Sequence, residues 1–168
     1  EQFITNDGED PSNTYSKGYN SIGQNLLERT LDQIRKLAEK SSYLDNFILF
    51  HSFGGGTGSG FFSLLLEHLS SEYSKNKKIE FSIFPDEKYS NSVFEPYNTV
   101  LSFSESVNLS DRCFLFDNES LYDICHKKLQ IKKPTYSNLN NVLCQAISSI
   151  TYPLRFIDLC VPQQVDFF

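Results

Sequence analysis

Hydrophobic and polar residues follow one another along this chain in patterns that predict alternating helices and strands. Apolar residues recur every three or four positions over residues 15–40 and 136–154, with polar residues on the other side, which predicts two amphipathic helices. Three segments are too short for helices: four successive apolar residues at 47–50, an alternating pattern at 79–84, and four apolar residues after Arg112 at 112–116. Because these runs are rich in β-branched and aromatic residues, they predict three strands.

Further helices are predicted between and after these strands, over residues 61–69, 95–104 and 120–128. Two strands joined by a helix pair in parallel, because so long a crossover returns the chain to the same edge of the sheet. The pattern therefore predicts an α/β fold built on a parallel sheet. In such sheets ligands bind at the carboxyl ends of the strands.

A glycine-rich stretch separates the first predicted strand from the helix that follows it. The stretch reads Gly54, Gly55, Gly56, Thr57, Gly58, Ser59 and Gly60. Such a run loses much backbone entropy on ordering, so it needs positive φ angles or close approach of the backbone to another group. Backbone N–H groups before a helix N-terminus attract anions, and we therefore predict that this loop binds phosphate. The alternative is a flexible surface turn.

Two widespread nucleotide-binding loops do not match this stretch. The P-loop requires a lysine followed by serine or threonine at its end, and residues 47–69 contain no lysine. The dinucleotide motif requires glycines at positions i, i+2 and i+5, and no frame through this loop provides them.

Composition and charge narrow the class of protein. With 168 residues, 39% of them hydrophobic, the chain can fill one sizeable core. A net charge of −6 without a basic stripe argues against nucleic acid and acidic membranes as partners. The sequence has no signal-peptide pattern and no apolar run of membrane-spanning length, so we expect a soluble intracellular protein.

The cysteines do not have the spacing of metal ligands. Cys113, Cys125, Cys144 and Cys160 are at least twelve residues apart, and the three histidines form no paired motif with them. We therefore expect reduced thiols in a cytosolic protein rather than a zinc site.

Several motifs, in order along the chain, carry a family resemblance. They lie at residues 51–60, 95–98, 117–119, 122–125, 134–140, 148–151 and 154–156. Together they resemble the tubulin family, and Phe53 with residues 80–83 and 148–151 is closer to its α subunits than to its β or γ subunits. The resemblance covers residues 1–156, so we predict a partial tubulin-type GTP-binding domain there and a divergent tail over residues 157–168.

This resemblance implies a fold, cofactors, partners and a location. The implied fold is an incomplete three-layer Rossmann-like domain, with helices on both faces of a parallel sheet. It lacks the family's first strands and its intermediate and C-terminal domains. The implied cofactors are GTP and Mg²⁺, and the implied partners are β-tubulin, in a heterodimer, and the microtubule polymer. The implied location is the cytoplasm and its cytoskeleton, with no role for nucleic acid or membranes.

The resemblance also assigns contacts to the phosphates and the sugar. The assigned residues are Asp10, Asn13, Ser52, Gly54, Gly55, Gly56, Thr57, Gly58, Ser59, Asn91 and Glu95. Asn91 stands where the family has a threonine. Near phosphates, the Asp10 carboxylate would hold a bridging magnesium ion, although Asp10 and Asn13 are equally suited to cap turns.

Three further residues are assigned to the guanine base. The amide of Asn118 offers donors and an acceptor to a guanine edge, but the same residue suits a helix cap. Tyr136 and Asn140 lie four residues apart, hence on one helix face, where a ring can stack on a base and an amide can pair with it. A buried tyrosine and a surface asparagine are the alternative. The resemblance favours the base contacts for all three.

The sequence assigns no catalytic residue. Tubulins follow the resembling region with a loop that ends in a glutamate, which activates water on the neighbouring subunit. Asp166 falls at that position here, in different surroundings and with a shorter side chain. Three functional hypotheses remain: an assembly subunit with GTP as structural cofactor, an active GTPase that requires a neighbour's acid, or a remnant without nucleotide binding.

Overall fold

The computed structural model describes residues 4–5, 13–86 and 92–156, and it divides the chain into two compact units. The first unit is Glu1–Asp117 and the second is Asn118–Phe168. The predicted boundary before residue 157 borders a segment outside the described residues, and it stays a prediction.

The first unit contains a parallel three-stranded sheet. Its elements are α1 (Ile22–Lys40), β1 (Asn46–Ser52), α2 (Phe62–Glu72), β2 (Lys77–Phe84), α3 (Glu95–Leu109) and β3 (Arg112–Asp117). The strands lie in the order β1-β2-β3, and both neighbouring pairs are parallel. The sheet and its crossover helices confirm the predicted α/β class, as an incomplete Rossmann-like fold. Each strand in the structure is one to three residues longer than the strand that the sequence predicted.

The two faces of the sheet have different side chains. On one face, the His51 ring stacks on Phe62 of α2 at 3.6 Å between ring centroids, so α2 packs on this face. The core beneath α2 includes the fully buried Leu66 and Leu69. The other face carries a row of phenyl rings from Phe50, Phe81 and Phe114, with centroids 5.2 and 5.0 Å apart.

Two wide helical turns replace what the sequence predicted as ordinary helix and loop. Lys17–Ser21 and Thr57–Phe61 are π-helical, so the second half of the glycine stretch is already helical. These turns touch through glycine: a Cβ on Gly18 would lie 2.1 Å from the Gly56 carbonyl oxygen, and one on Gly60 would lie 2.2 Å from the Tyr15 carbonyl oxygen. Side chains at these two glycines would separate the turns.

The second unit contains α4 (Asn118–Asp123), a π-helical turn (Ile124–Lys128) and α5 (Tyr136–Arg155). Leu121, Cys125 and Leu139 form its buried apolar cluster. Thr135 and Asn138 close a capping box at the start of α5, where the predicted helix begins.

The sequence predicted a helix over residues 136–154, and α5 ends one residue later even though Pro153 lies inside it. The helix continues to Arg155. A proline so near the last turn removes a single backbone hydrogen bond, so the helix tolerates it. The Arg155 guanidinium also donates hydrogen bonds to the Ser148 carbonyl and hydroxyl, at 2.9 and 2.8 Å. In the described part of the chain, no helix is both long and apolar enough to cross a membrane.

Candidate functional site

The glycine stretch follows β1 at the carboxyl end of the sheet, where α/β folds bind ligands. None of its glycines has a positive φ, so close approach of the backbone explains them. A Cβ on Gly58 would lie 2.3 Å from the Ser52 carbonyl oxygen, and one on Gly56 would lie 2.8 Å from that of Thr14. These glycines let the loop pack against its own chain.

Gly55 is the exception. A Cβ on Gly55 would meet no atom within 4 Å, so this residue faces open space. Among the described residues, none accepts a hydrogen bond from the N–H of Gly55 or Gly56. Two successive N–H groups without acceptors, just before a helix, form a cradle that suits an anion.

The other predicted loop residues have definite places. Ser52 ends β1, and its hydroxyl accepts a hydrogen bond from the Gly54 N–H at 3.3 Å. Thr57 is exposed at the start of the π-helical turn. Ser59 is fully buried, and both its hydroxyl and its N–H donate to the Gly55 carbonyl. The Ser59 side chain therefore braces the loop from inside.

A buried ion pair supports the loop from beneath, and the sequence analysis did not identify it. The Nδ1 of His51 lies 2.7 Å from the Gly58 carbonyl oxygen, and its Nε2 lies 2.7 Å from Oε1 of Glu80. A carbonyl and a carboxylate both only accept hydrogen bonds. The Nδ1 of His51 therefore donates to the Gly58 carbonyl, while its Nε2 pairs with the Glu80 carboxyl group. Both side chains are almost completely buried.

Glu80 is ionised despite its burial. Desolvation raises the pKa of a buried carboxyl group, but hydrogen bonds from His51 and Ser110 stabilise the anion. The Ser110 hydroxyl donates to Oε2 of Glu80 at 2.6 Å. The net result is a pKa below the usual value of 4.5. Although Cys113 is exposed, partial desolvation and the nearby Glu80 carboxylate raise the pKa of its thiol to about 11, so that thiol remains protonated at neutral pH.

A second buried polar side chain, from Asn98 of α3, also escaped the sequence analysis. Its Nδ2 donates to the carbonyl oxygens of Asn13 and Gly54 at 2.7 and 2.8 Å, and its Oδ1 accepts from the Tyr15 N–H at 2.8 Å. Asn13 has a φ of 52°, in the left-handed region that asparagine tolerates. The predicted site residue Asn13 therefore lies beside the glycine loop.

Glu95, a predicted sugar and phosphate contact, begins α3 next to the loop. A Cβ on Gly54 would lie 3.4 Å from the Glu95 carboxyl group. Its Oε2 is buried and accepts no hydrogen bond among the described residues. A buried carboxylate oxygen without a partner is costly, so a donor from a ligand would be favourable there. A sugar hydroxyl is such a donor.

The predicted base contacts all belong to the second unit. Asn118 is the first residue of α4 and directly follows β3, so the helix begins two residues earlier than predicted and Asn118 lies inside it. Tyr136 and Asn140 are both exposed on the first turns of α5. This exposure excludes the alternative of a buried tyrosine. The guanine contacts stay predictions.

Three of the earlier assignments fall outside the described residues. They are Asp10 as a magnesium ligand, Asn91 as a nucleotide contact and Asp166 with the tail. Within the ranges that the structure describes, no group of three or more His, Cys, Asp and Glu side chains could hold a metal ion.

Comparison with known proteins gave two findings. The model of the Tubulin/FtsZ family, GTPase domain, matches residues 1–126. The chain is also 50% identical over 153 residues to a protein named Tubulin alpha-8 chain from Caenorhabditis elegans. That similarity covers 91% of this chain and 34% of the relative, so the chain spans about a third of the relative's length.

Proposed function

Because this chain belongs to the tubulin family, we propose that it is an α-tubulin-like subunit that binds GTP as a structural cofactor. In this proposal it pairs with β-tubulin and enters microtubules in the cytoplasm. The phosphates bind at the glycine loop, Glu95 binds the sugar, and Asn118, Tyr136 and Asn140 bind guanine.

The observation that carries the proposal is the open position at Gly55. Four of the five glycines lie against neighbouring atoms of the protein, whereas Gly55 has free space beside it. Its N–H and that of Gly56 have no acceptor among the described residues. A loop that merely turned the chain would gain nothing from two successive donors without acceptors beside open space at a helix N-terminus. Phosphate oxygens fit that gap.

Magnesium belongs to the proposal through Asp10. A carboxylate near bound phosphates would complete the coordination of Mg²⁺, which is usually held by one or two carboxylates together with phosphate oxygens and water. The described residues alone do not provide such a site. Because phosphate oxygens would be among its ligands, we expect Mg²⁺ to bind with GTP and not before it.

Equilibrium binding of GTP and ATP to the purified chain, with and without Mg²⁺, tests this function. We expect GTP to bind more tightly than ATP. Gly55→Ala should lower the affinity for both nucleotides, because the new methyl group occupies the space beside the N–H cradle. Asn140→Ala should remove the preference for GTP, at a cost of roughly 1–3 kcal/mol, because the guanine edge loses a partner.

Asn141→Ala is the matched control, since Asn141 is the next residue of α5 and is also exposed. It should bind GTP like the unmodified chain. A folded chain that binds neither nucleotide would refute the proposal and favour the remnant hypothesis. GTP turnover would instead favour the enzyme hypothesis, and turnover by the chain alone would show that no neighbour's acid is needed.

Pairing with β-tubulin needs its own measurement. Incubation with purified β-tubulin should give a complex of one copy of each on size-exclusion chromatography with light scattering. Addition of assembling microtubules should then sediment the chain with the polymer. A chain that binds GTP but forms no complex would refute pairing with β-tubulin without affecting the proposal of GTP binding.

A further inference from the structure

We propose that Asn98 is a positioning residue for the phosphate-binding loop, which turns the Gly55 N–H toward the phosphates without touching the nucleotide. This inference rests on the proposed function, because it concerns how the same loop is oriented. It stands on three hydrogen bonds, on the geometry of the peptide group and on the open space beside Gly55.

The hydrogen bonds of Asn98 use its amide completely. Its two N–H donors go to the carbonyl oxygens of Asn13 and Gly54, and its carbonyl oxygen accepts from the Tyr15 N–H. The side chain is 2% exposed, so no water competes for these groups. An amide buried and satisfied in this way is strongly held in one orientation.

The bond to Gly54 sets the direction of the next N–H. The peptide group is planar, and the described chain has no cis peptide bond. In a trans peptide, the carbonyl of one residue and the N–H of the next point in opposite directions. Because Asn98 holds the Gly54 carbonyl, the Gly55 N–H must point away from Asn98. A Cβ on Gly55 would meet no atom within 4 Å, and the Gly55 N–H has no acceptor among the described residues, so the loop leaves this residue available to a ligand.

The same side chain fixes a second segment against the loop. Asn98 holds the carbonyl of Asn13 and the N–H of Tyr15, so it fixes the backbone on both sides of Thr14. The Thr14 backbone in turn packs on Gly56, where a Cβ would lie 2.8 Å from the Thr14 carbonyl oxygen. Loss of the Asn98 amide would therefore release both the loop and its neighbour.

Helix α3 carries Asn98 and Glu95 on the same face, because the two residues are three positions apart. The Glu95 carboxyl group and the Asn98 amide both approach Gly54, one beside its Cα and the other at its carbonyl oxygen. The start of α3 thus acts as a support that orients the loop while Asn98 itself stays buried.

Binding of GTP and of guanosine, which lacks phosphates, separates this role from a general structural one. Asn98→Asp keeps the shape and can still accept from Tyr15, but it cannot donate to the two carbonyls. Asn98→Ala removes the amide without adding charge. We expect both changes to lower the affinity for GTP by about tenfold or more, consistent with the loss of buried hydrogen bonds. Guanosine binding should not change.

Asn108→Ala is the control, because Asn108 is an exposed residue of α3 whose amide bonds only to the Ser104 carbonyl among the described residues. It should bind both ligands normally. Equal losses of GTP and guanosine in the Asn98 variants, or an unchanged GTP affinity, would overturn the positioning role. If the unmodified chain binds guanosine but not GTP, the proposed phosphate site itself fails.

A measurement on the unmodified chain keeps the inference testable if the variants do not fold. In a heteronuclear NMR titration, GTP should shift the Gly55 amide proton strongly, and guanosine should not. A Gly55 amide that does not respond to GTP, while other loop signals do, would show that its N–H does not face the phosphates.

Discussion

The glycine loop of the first unit and the exposed start of α5 in the second unit are built in opposite ways. The loop offers main-chain N–H groups, and buried side chains such as His51 and Asn98 hold it in place. The start of α5 offers exposed side chains, Tyr136 and Asn140, on a helix that is held by its own capping box and buried cluster.

This difference decides what substitutions do. Around the loop, a change in a supporting residue alters folding and ligand binding together, because the ligand-binding atoms are backbone. On α5 the two effects are separable, because the side chains proposed to meet the base carry little of the fold. Substitutions in the two regions can test this contrast, and their expected effects on the free energy of unfolding decrease from the buried pair beneath the loop to the exposed start of α5.

The largest effect is expected from His51→Ala. It removes the His51 ring from a buried pair and leaves the Glu80 carboxylate without that partner, which costs roughly 3–5 kcal/mol. Urea denaturation followed by circular dichroism measures this loss. His68→Ala is the control, since His68 is half-buried and bonds to the Leu64 carbonyl of its own helix. A similar loss in both variants would contradict the supporting role of the pair.

Two glycines of the loop should respond oppositely to alanine. Gly58→Ala places a methyl group against the Ser52 carbonyl oxygen and should cost roughly 1–3 kcal/mol or more. Gly55→Ala meets open space at an unstrained φ, so it should leave stability unchanged or raise it by up to about 1 kcal/mol. Thermal denaturation of the two variants provides the comparison. Equal destabilisation would show that Gly55 is packed like the others.

Acid should weaken the support beneath the loop. The pKa of Glu80 is lower in the folded chain than its usual value of 4.5, so the unfolded state binds more protons there. The stabilisation is complete above pH 4.5 and is lost as the pH falls through the lower folded-state pKa. Urea midpoints across this range should show less pH dependence in Glu80→Gln.

Asp32→Asn is the comparison for this pH effect. Hydrogen bonding to Lys36 also lowers the pKa of Asp32, but this pair lies on the exposed side of α1. Solvent screens such a pair, so its removal should change the pH dependence much less than Glu80→Gln does. The reverse order would place the acid-sensitive group on the surface rather than under the loop.

The smallest effect on folding is expected at Tyr136. Tyr136 is 73% exposed, so Tyr136→Ala should change the free energy of unfolding by no more than about 0.5 kcal/mol. If the ring stacks on guanine, GTP affinity should nevertheless fall by about 1–3 kcal/mol. Isothermal titration against Tyr43→Ala, an exposed tyrosine of the first unit, checks this. An affinity loss in both variants would not support stacking.

Much of the fold could be predicted from local patterns. The three strands and their parallel pairing could be predicted from short segments and long crossovers, because both signals lie in neighbouring residues. The wide turn at Thr57–Phe61 could not be predicted, since it depends on contact with a distant turn at Lys17–Ser21. The end of α5 lies one residue beyond the predicted end, because Pro153 is close enough to the last turn for the helix to tolerate it.

The supporting residues of the loop were the harder part. Glu80 is the charged residue among the largely apolar residues 79–84, and His51 directly follows the apolar run over residues 47–50. A charged residue in such a segment signals a buried partner. The two partners lie 29 positions apart, so local sequence patterns provide no means of pairing them. In the sequence, Asn98 was noted only as part of the motif at residues 95–98. Its role could not be predicted, because its three hydrogen bonds reach residues that lie 83, 85 and 44 positions away.

The row of phenyl rings across Phe50, Phe81 and Phe114 has a consequence for how folding can be followed. Each ring comes from a different strand, and a whole helix separates each strand from the next. The row therefore forms only after both crossovers have closed, and contacts so distant in sequence form slowly. Since the chain contains no tryptophan, the near-ultraviolet fine structure of phenylalanine gives an intrinsic signal for the completed sheet, later than the far-ultraviolet signal of the helices.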